Sequence, residues 1–281
     1  MKLIAATLGL LLSAAIPLRA QEAGWDARLG AVSGDVTIVP ADGSPEVSGE
    51  AGMPLEEGDR VVVGDGGAAE VALDGTSLLS VRPKSDLKLE KIGKGDSTFF
   101  LKVGSLLAKI QKLGARSLRV RTPHAVAAVR GTEFGVETDG AISHVGVFDE
   151  GKVEVSGGEG GKAELLRANQ ELSVKKGAAP GHAVQLRRFM AHRARMRGHG
   201  RRLAALKAKW KALPPEERRA ARVKAMERMR ENRKKLIEKR AAMKQQAEER
   251  RSRNLQKSQQ RRQEGLRKME ERRRKAGRRK R

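Results

Sequence analysis

Two groups of side chains in this chain of 281 residues could do chemistry. The first is a terminal run of cations: Arg272, Arg273, Arg274 and Lys275, then Arg278, Arg279, Lys280 and Arg281. Guanidinium forks pair bidentately with phosphate and carboxylate, so this run is a candidate anion-binding tail. The second is Thr122 and Pro123, followed by Arg130, Gly131, Thr132 and Phe134. Pro123 fixes an extended entry and removes one ladder donor. Arg130-Gly131-Thr132 reads as a tight corner between two strands, where Gly relieves a clash. In such a corner Arg130 either braces neighbouring carbonyls or offers a free fork to an anion; bracing is the default reading.

Catalytic constellations are missing. The five histidines are His124, His144, His182, His192 and His199, and none stands at H-x-x-x-H or H-E-x-x-H spacing. Gly160-Gly161-Lys162 lacks the first Gly and the hydroxyl of a phosphate loop. There is no G-x-S-x-G elbow, and no carboxylate pair stands out. With no cysteine there is no disulfide and no thiolate ligand. The expectation is a protein that is not an enzyme and uses no metal or cofactor.

The charge is unevenly spread. The whole chain carries 59 Lys and Arg, 34 Asp and Glu, and a net charge of +25. Residues 181–281 hold 38 Lys and Arg against 10 Glu, a net of +28, which leaves −3 for the rest. This asymmetry implies a near-neutral globular head and a polycationic arm. Aromatics are only 2 % of the chain, so a core must rest on Val, Leu, Ile and Ala.

Residues 1–20 read as a signal peptide. Lys2 supplies the positive start, Leu3 to Ile16 an apolar run too short to span a bilayer comfortably, Pro17 a break and Ala20 a cleavage position. An uncleaved anchor is the alternative. Export to the periplasm, or secretion, from a bacterium of Gram-negative type follows as the expectation.

From about Gly30 to Val174, short apolar runs recur at the 8–12-residue spacing of β folds. Phe99, Leu101 and Val103 alternate with Phe100 and Lys102, the period of a half-buried strand. Asp65-Gly66-Gly67, Asp74-Gly75, Asp139-Gly140 and Glu150-Gly151 are turn signals between the runs. Strands are expected at 36–39, 60–63, 70–73, 78–81, 87–92, 99–103, 106–110, 118–122, 134–138, 143–148, 152–155 and 171–174.

An ordered series of phrases in this region resembles the FecR domain, the periplasmic module of iron-dicitrate-type sensor regulators. It opens with Gly34-Asp35-Val36 and Ile38, continues through Leu55-Glu56-Glu57-Gly58-Asp59-Arg60-Val61 and Asp74-Gly75-Thr76-Ser77-Leu78, and reaches Thr122-Pro123-His124-Ala125 and Val129-Arg130-Gly131-Thr132-Glu133-Phe134. Glu150-Gly151-Lys152-Val153 and Asn169-Gln170-Glu171-Leu172 close it, with Asn where the family has Gly. The resemblance implies an all-β head, a solenoid or a sandwich, over residues 30–176. It also implies a periplasmic interaction domain. The cytoplasmic anti-sigma segment and membrane helix usual in the family are not expected here.

After Pro180 the composition changes. Residues 181–213 are expected as a basic connector with a short helix at 201–213, and residues 214–264 as a long charged helix. Pro214-Pro215 separates the two, and Glu216 and Glu217 favour the second helix's dipole. Residues 265–281 carry enough like charge to be expected disordered. Met229, Leu236 and Met243 recur every seven residues, but their neighbours are polar or charged. A solitary charged helix is therefore favoured over a coiled coil.

Outside the cytoplasm, such a tail would meet lipopolysaccharide, acidic lipid or wall polymer. Nucleic acid would be bound only non-specifically, for want of stacking aromatics. The sequence thus leads to an exported binding or scaffold module held to anionic envelope components, with a protein partner possible for the head. The alternative is a periplasmic sensor of iron-regulator type that relays through a partner.

Overall fold

The computed structural model describes residues 26–93, 96–111, 117–129, 131–158, 162–211 and 213–278. The expected signal peptide at 1–20 lies outside them, as do Arg130, Arg279, Lys280 and Arg281. The chain divides into two compact units, Met1–Arg219 and Ala220–Arg281.

The first unit is mostly β-sheet. Its strands are β1 (Ala27–Ser33), β2 (Val36–Val39), β3 (Val47–Ser48), β4 (Pro54–Leu55), β5 (Arg60–Val63) and β6 (Ala68–Leu73). Then follow β7 (Ser77–Val81), β8 (Ser85–Lys91), β9 (Asp96–Ile110), β10 (Ser117–Arg121), β11 (Ala125–Val129) and β12 (Glu133–Thr138). The last are β13 (Ile142–Val147), β14 (Lys152–Gly157), β15 (Glu164–Arg167), β16 (Gln170–Lys175) and β17 (Val184–Gln185).

These strands form an open 17-stranded arrangement with two wings that share β9. One wing runs β4-β1-β6-β7-β9-β12-β13-β16-β17, antiparallel throughout. The other runs β3-β2-β5-β8-β9-β10-β11-β14-β15, antiparallel except where β10 lies parallel to β9. Two expected strands, 99–103 and 106–110, are one 15-residue strand. Its first part pairs with β8 and its second with β7 and β12. Gly104 sits at the crossing with φ +102°, and a Cβ there would lie 2.2 Å from Ser85 Oγ and 2.5 Å from Ser85 Cα. Only glycine lets the strand change wings without a break.

After β1 the chain alternates between wings, mostly a hairpin at a time, turning corners near Gly34, Gly66, Lys84, Gly131, Gly151 and Asn169, all with positive φ. Each wing keeps one apolar face. Val61, Leu87, Leu89, Phe99 and Leu101 on one, and Val71, Leu79, Leu106, Phe134 and Val145 on the other, are all 0 % exposed. Leu29 of the first wing and Val36 of the second both close on Gly49. The core rests mainly on Val, Leu and Ala, as the composition requires.

The segment expected to be a connector is part of this unit. A 3₁₀ turn (Arg188–His192) leads into α1, which spans Arg193–Lys209 rather than the expected 201–213. Both lie on the outer face of the first wing. Leu186, Phe189 and Met196 pack with Leu107 and Phe148, and further along Leu203, Leu206 and Trp210 pack on Ala72 and Leu78. Seventeen helical residues span about 25 Å. Five strand spacings, the distance from β13 to β1, come to about 24 Å. Arginines are matched on the way: Arg188 Nε donates to Glu137 Oε2 at 2.9 Å, Arg193 pairs with Asp149 at 3.2 Å and Arg202 with Glu70 at 2.6 Å. The layer was hard to foresee because its few large apolar residues are scattered among cations and never form a continuous stripe.

The second unit carries most of α2 (Pro215–Arg278), 64 residues and about 96 Å long at 1.5 Å per residue. Lys235 pairs with Glu231 at 2.8 Å and Arg253 with Glu249 at 3.3 Å, both one turn apart. Ile237 and Met243 are exposed. The stretch from residue 265, expected to be disordered, remains helical to Arg278 and includes Arg272, Arg273, Arg274 and Lys275. Arg, Lys, Glu and Met are strong helix formers, and extending an existing helix adds one hydrogen bond per residue without a new nucleus. Among the described residues no helix is long and apolar enough to cross a membrane.

Candidate functional site

The motif residues are separated by the fold. Thr122 and Pro123 form the β10–β11 turn, whereas Gly131 and Thr132 form the corner at the far end of β11, roughly 16 Å away for a strand of five residues. Thr122 is buried. Its Oγ1 accepts from the Ala125 N–H at 2.9 Å and from the His124 N–H at 3.3 Å, and shares a 2.7 Å hydrogen bond with Ser143 Oγ. Thr132 Oγ1 donates to Lys152 O at 3.1 Å and accepts from its N–H at 3.3 Å, locking the β11–β12 corner to the start of β14. Phe134 is wholly buried on β12. Pro123 is exposed. Arg130 falls outside the described residues, so neither bracing nor anion binding gains support.

The other phrases also fall on corners. Asp59 is fully buried, and its carboxylate accepts from the Glu56 N–H at 2.9 Å and the Ala41 N–H at 3.1 Å. Asp74 Oδ1 accepts from the Asp26 N–H at 2.8 Å. Asn169 holds φ +63°, a region Asn tolerates better than most residues, and its N–H reaches the carbonyls of Val147 and Phe148. The polar residues in these phrases fasten strand ends rather than converge on one centre.

Two cavities open at one end of the β unit, on either side of the segment after β16. The first, 280 Å³, is lined by Pro123 and His124, by Gly157 and Gly158 at the end of β14, by Lys162, and by residues 176–180. His124 Nε2 meets Gly140 O at 2.8 Å, and the Gly158 N–H donates to His124 O at 2.9 Å. The second, 360 Å³, includes His144, Glu171, Ser173, Lys175 and His182. His144 Nδ1 meets Ser173 Oγ at 2.7 Å. Burial, and then Arg188, pushes the His144 imidazole below its ordinary pKa, against the pull of Glu137, Asp139 and Glu171. Among the described residues no cluster of three His, Asp or Glu could hold a metal.

Sequence reasoning missed a third feature, the buried His199 on α1. Its ring is 0 % exposed, and among the described residues neither nitrogen has a hydrogen-bond partner. Burial lowers its pKa to about 4, assisted by Arg202, Arg195, Arg82 and Lys109. Nothing in the sequence signalled this, because the cations that surround it come from α1, β9 and the residue after β7.

Residues 59–154 match the family model described as FecR protein. The β unit thus contains a FecR domain, as the phrases between Asp59 and Val153 suggested. Two crystal structures of a candidate anti-sigma factor from Parabacteroides distasonis ATCC 8503 are similar to this chain at 19 % identity with a TM-score of 0.38. Each similarity covers 45 % of this chain and 58 % of the other, so the chain spans little more than half the length of those structures. No curated protein matches the chain.

Proposed function

We propose that this is an exported, non-enzymatic FecR-domain protein whose β unit serves as a binding module and whose α2 attaches to anionic envelope components. One observation carries the reading. Residues 215–281 hold 28 Lys and Arg against 10 Glu, so at least 18 cations have no acid within that segment. The helix over residues 215–278 spreads most of these cations along about 96 Å. Each cation near an anionic surface contributes about 1 kcal/mol, and the attraction fades beyond a Debye length. Lipopolysaccharide phosphates, acidic lipid headgroups and wall polymer present the matching charge. Residues 1–20 support export.

In a sedimentation assay, full-length protein should pellet with phosphatidylglycerol-containing vesicles at about 0.1 M salt. It should be released near 1 M, where the Debye length falls from about 10 Å to about 3 Å. A variant ending at Arg219 should stay in the supernatant throughout. Retention that ignores salt, or persists without residues 220–281, would refute the attachment.

The FecR match favours a second reading, in which the β unit relays an envelope or iron signal through a protein partner. Capture of one defined transducer by the full chain, preserved when α2 is removed, would support that reading. Loss of capture on removal of α2 would return the weight to attachment.

A further inference from the structure

The 280 Å³ cavity has a chemistry that the attachment reading leaves unused. Its described lining contains Lys162 and Lys176 and no acid, and neither ammonium meets a carboxylate among the described residues. Gly157, Gly158 and Gly177 leave the main chain of the walls uncovered, while Pro123 and Pro180 supply rigid apolar faces. Gly177 holds φ +65°, and the Ala178 N–H donates to Lys175 O at 3.1 Å, so the wall bearing Lys176 is a defined turn. Ligand sites commonly join an apolar lining to a few placed polar groups, in cavities of about 300 Å³ upward. This one sits at the small end of that range.

We propose that this cavity binds a small anionic sugar, its carboxylate or phosphate between Lys162 and Lys176 and its ring against Pro123 and Pro180. Two ammonium-bearing side chains on one lining, without an acid beside them, select an anion. The volume limits the ligand to about one ring. The Gly158 N–H is already committed to His124 O, so hydroxyls are left to the other main-chain groups of the glycine walls. Charge-assisted hydrogen bonds are about twice as strong as neutral ones, so the anion carries the selectivity. The site lies on the β unit and does not depend on α2.

The test is a titration of full-length, isotopically labelled protein at about 0.15 M salt, where charges beyond about 8 Å are largely screened. The probes are glucuronate, glucose 6-phosphate and neutral glucose. Either anion should give saturable shifts of the amide signals of Gly157, Gly158 and Gly177, and the better of the two identifies the group recognised. Glucose should give none. The double variant Lys162→Gln/Lys176→Gln should weaken binding at least tenfold, while the exposed control Lys88→Gln/Lys102→Gln leaves it unchanged. Absence of saturable shifts, equal response to glucose, equal binding by the double variant, or shifts confined to residues 215–278 would each overturn the proposal.

Discussion

Replacing Phe189 by Ala should lower the stability of the β unit by about 3–5 kcal/mol, the usual cost of emptying a buried phenylalanine site. The ring is 0 % exposed, and it meets Phe148 edge to face with centroids 6.3 Å apart and planes at 82°. It rests on two glycines that face each other across the β12–β13 ladder, Gly135 and Gly146. A Cβ at Gly135 would lie 2.7 Å from Phe189 Cδ1, and one at Gly146 would lie 2.5 Å from Cδ2. The pair is a slot cut to the thickness of a ring. Gly146→Ala should therefore also destabilise, by forcing the ring out. In the double variant the new methyl would occupy part of the vacated space, so the combined loss should fall below the sum. Urea denaturation of the four proteins measures all three quantities. Trypsin cleavage at Arg187, Arg188 and Arg193 should accelerate in the single variants as the helical layer lifts. Additive losses, or unchanged cleavage, would show that the layer does not depend on this slot.

The second large effect is acid sensitivity through His199. In the folded state its imidazole stays neutral down to about pH 4, below the ordinary 6.5, because burial and the charges of Arg202, Arg195, Arg82 and Lys109 all oppose a further positive charge. The pKa is depressed on a base, so the unfolded chain takes up the proton first. Stability is intact above pH 6.5, falls progressively below it, and has lost about 3 kcal/mol by pH 4. His192 adds to the same trend, its pKa lowered by burial, then by Arg82 and Arg195, with only Glu137 pulling the other way. His199→Leu removes both the titration and the two unpartnered nitrogens. It should stabilise the protein at pH 7.5 by about 1–3 kcal/mol, the cost of leaving a buried polar group unpaired. It should also flatten the decline between pH 6.5 and pH 4 relative to the parent. Parallel stability curves for the two proteins would show that the charge of His199 is accommodated. The comparison is made between variants because carboxylates near their own pKa values titrate in both and cancel.

How much of this was readable beforehand depends on how far apart the partners lie in the chain. Alternation at Phe99 and Leu101 and the Asp-Gly signals announced strands and turns, because a period of two and a positive φ are local demands. Val103, expected on the same face, is 39 % exposed, because the β8–β9 register shifts just before it. The strands at Ala125–Val129 and Glu164–Arg167 escaped notice. The first is built largely from Ala, and the second is only four residues long, with one buried and one exposed Leu between Glu164 and Arg167. The corner phrases were recognisable as a set, yet their chemistry was not. Asp59 seemed as available as any surface acid, and only the fold showed its carboxylate consumed by two main-chain donors. Pro123 looked like a strand-entry device and turned out also to line a cavity with Lys176, more than fifty residues away.

By itself the sequence determined the β character of residues 30–176 and the excess of positive charge toward the end. Each follows from composition or from neighbours within a few residues. Only the tertiary structure decided that residues 186–210 belong to the β unit, that two glycines on adjacent strands admit Phe189, and that His199 is sealed among cations. Those outcomes depend on which surfaces meet, and a buried contact between elements distant in sequence leaves no periodic trace in either one.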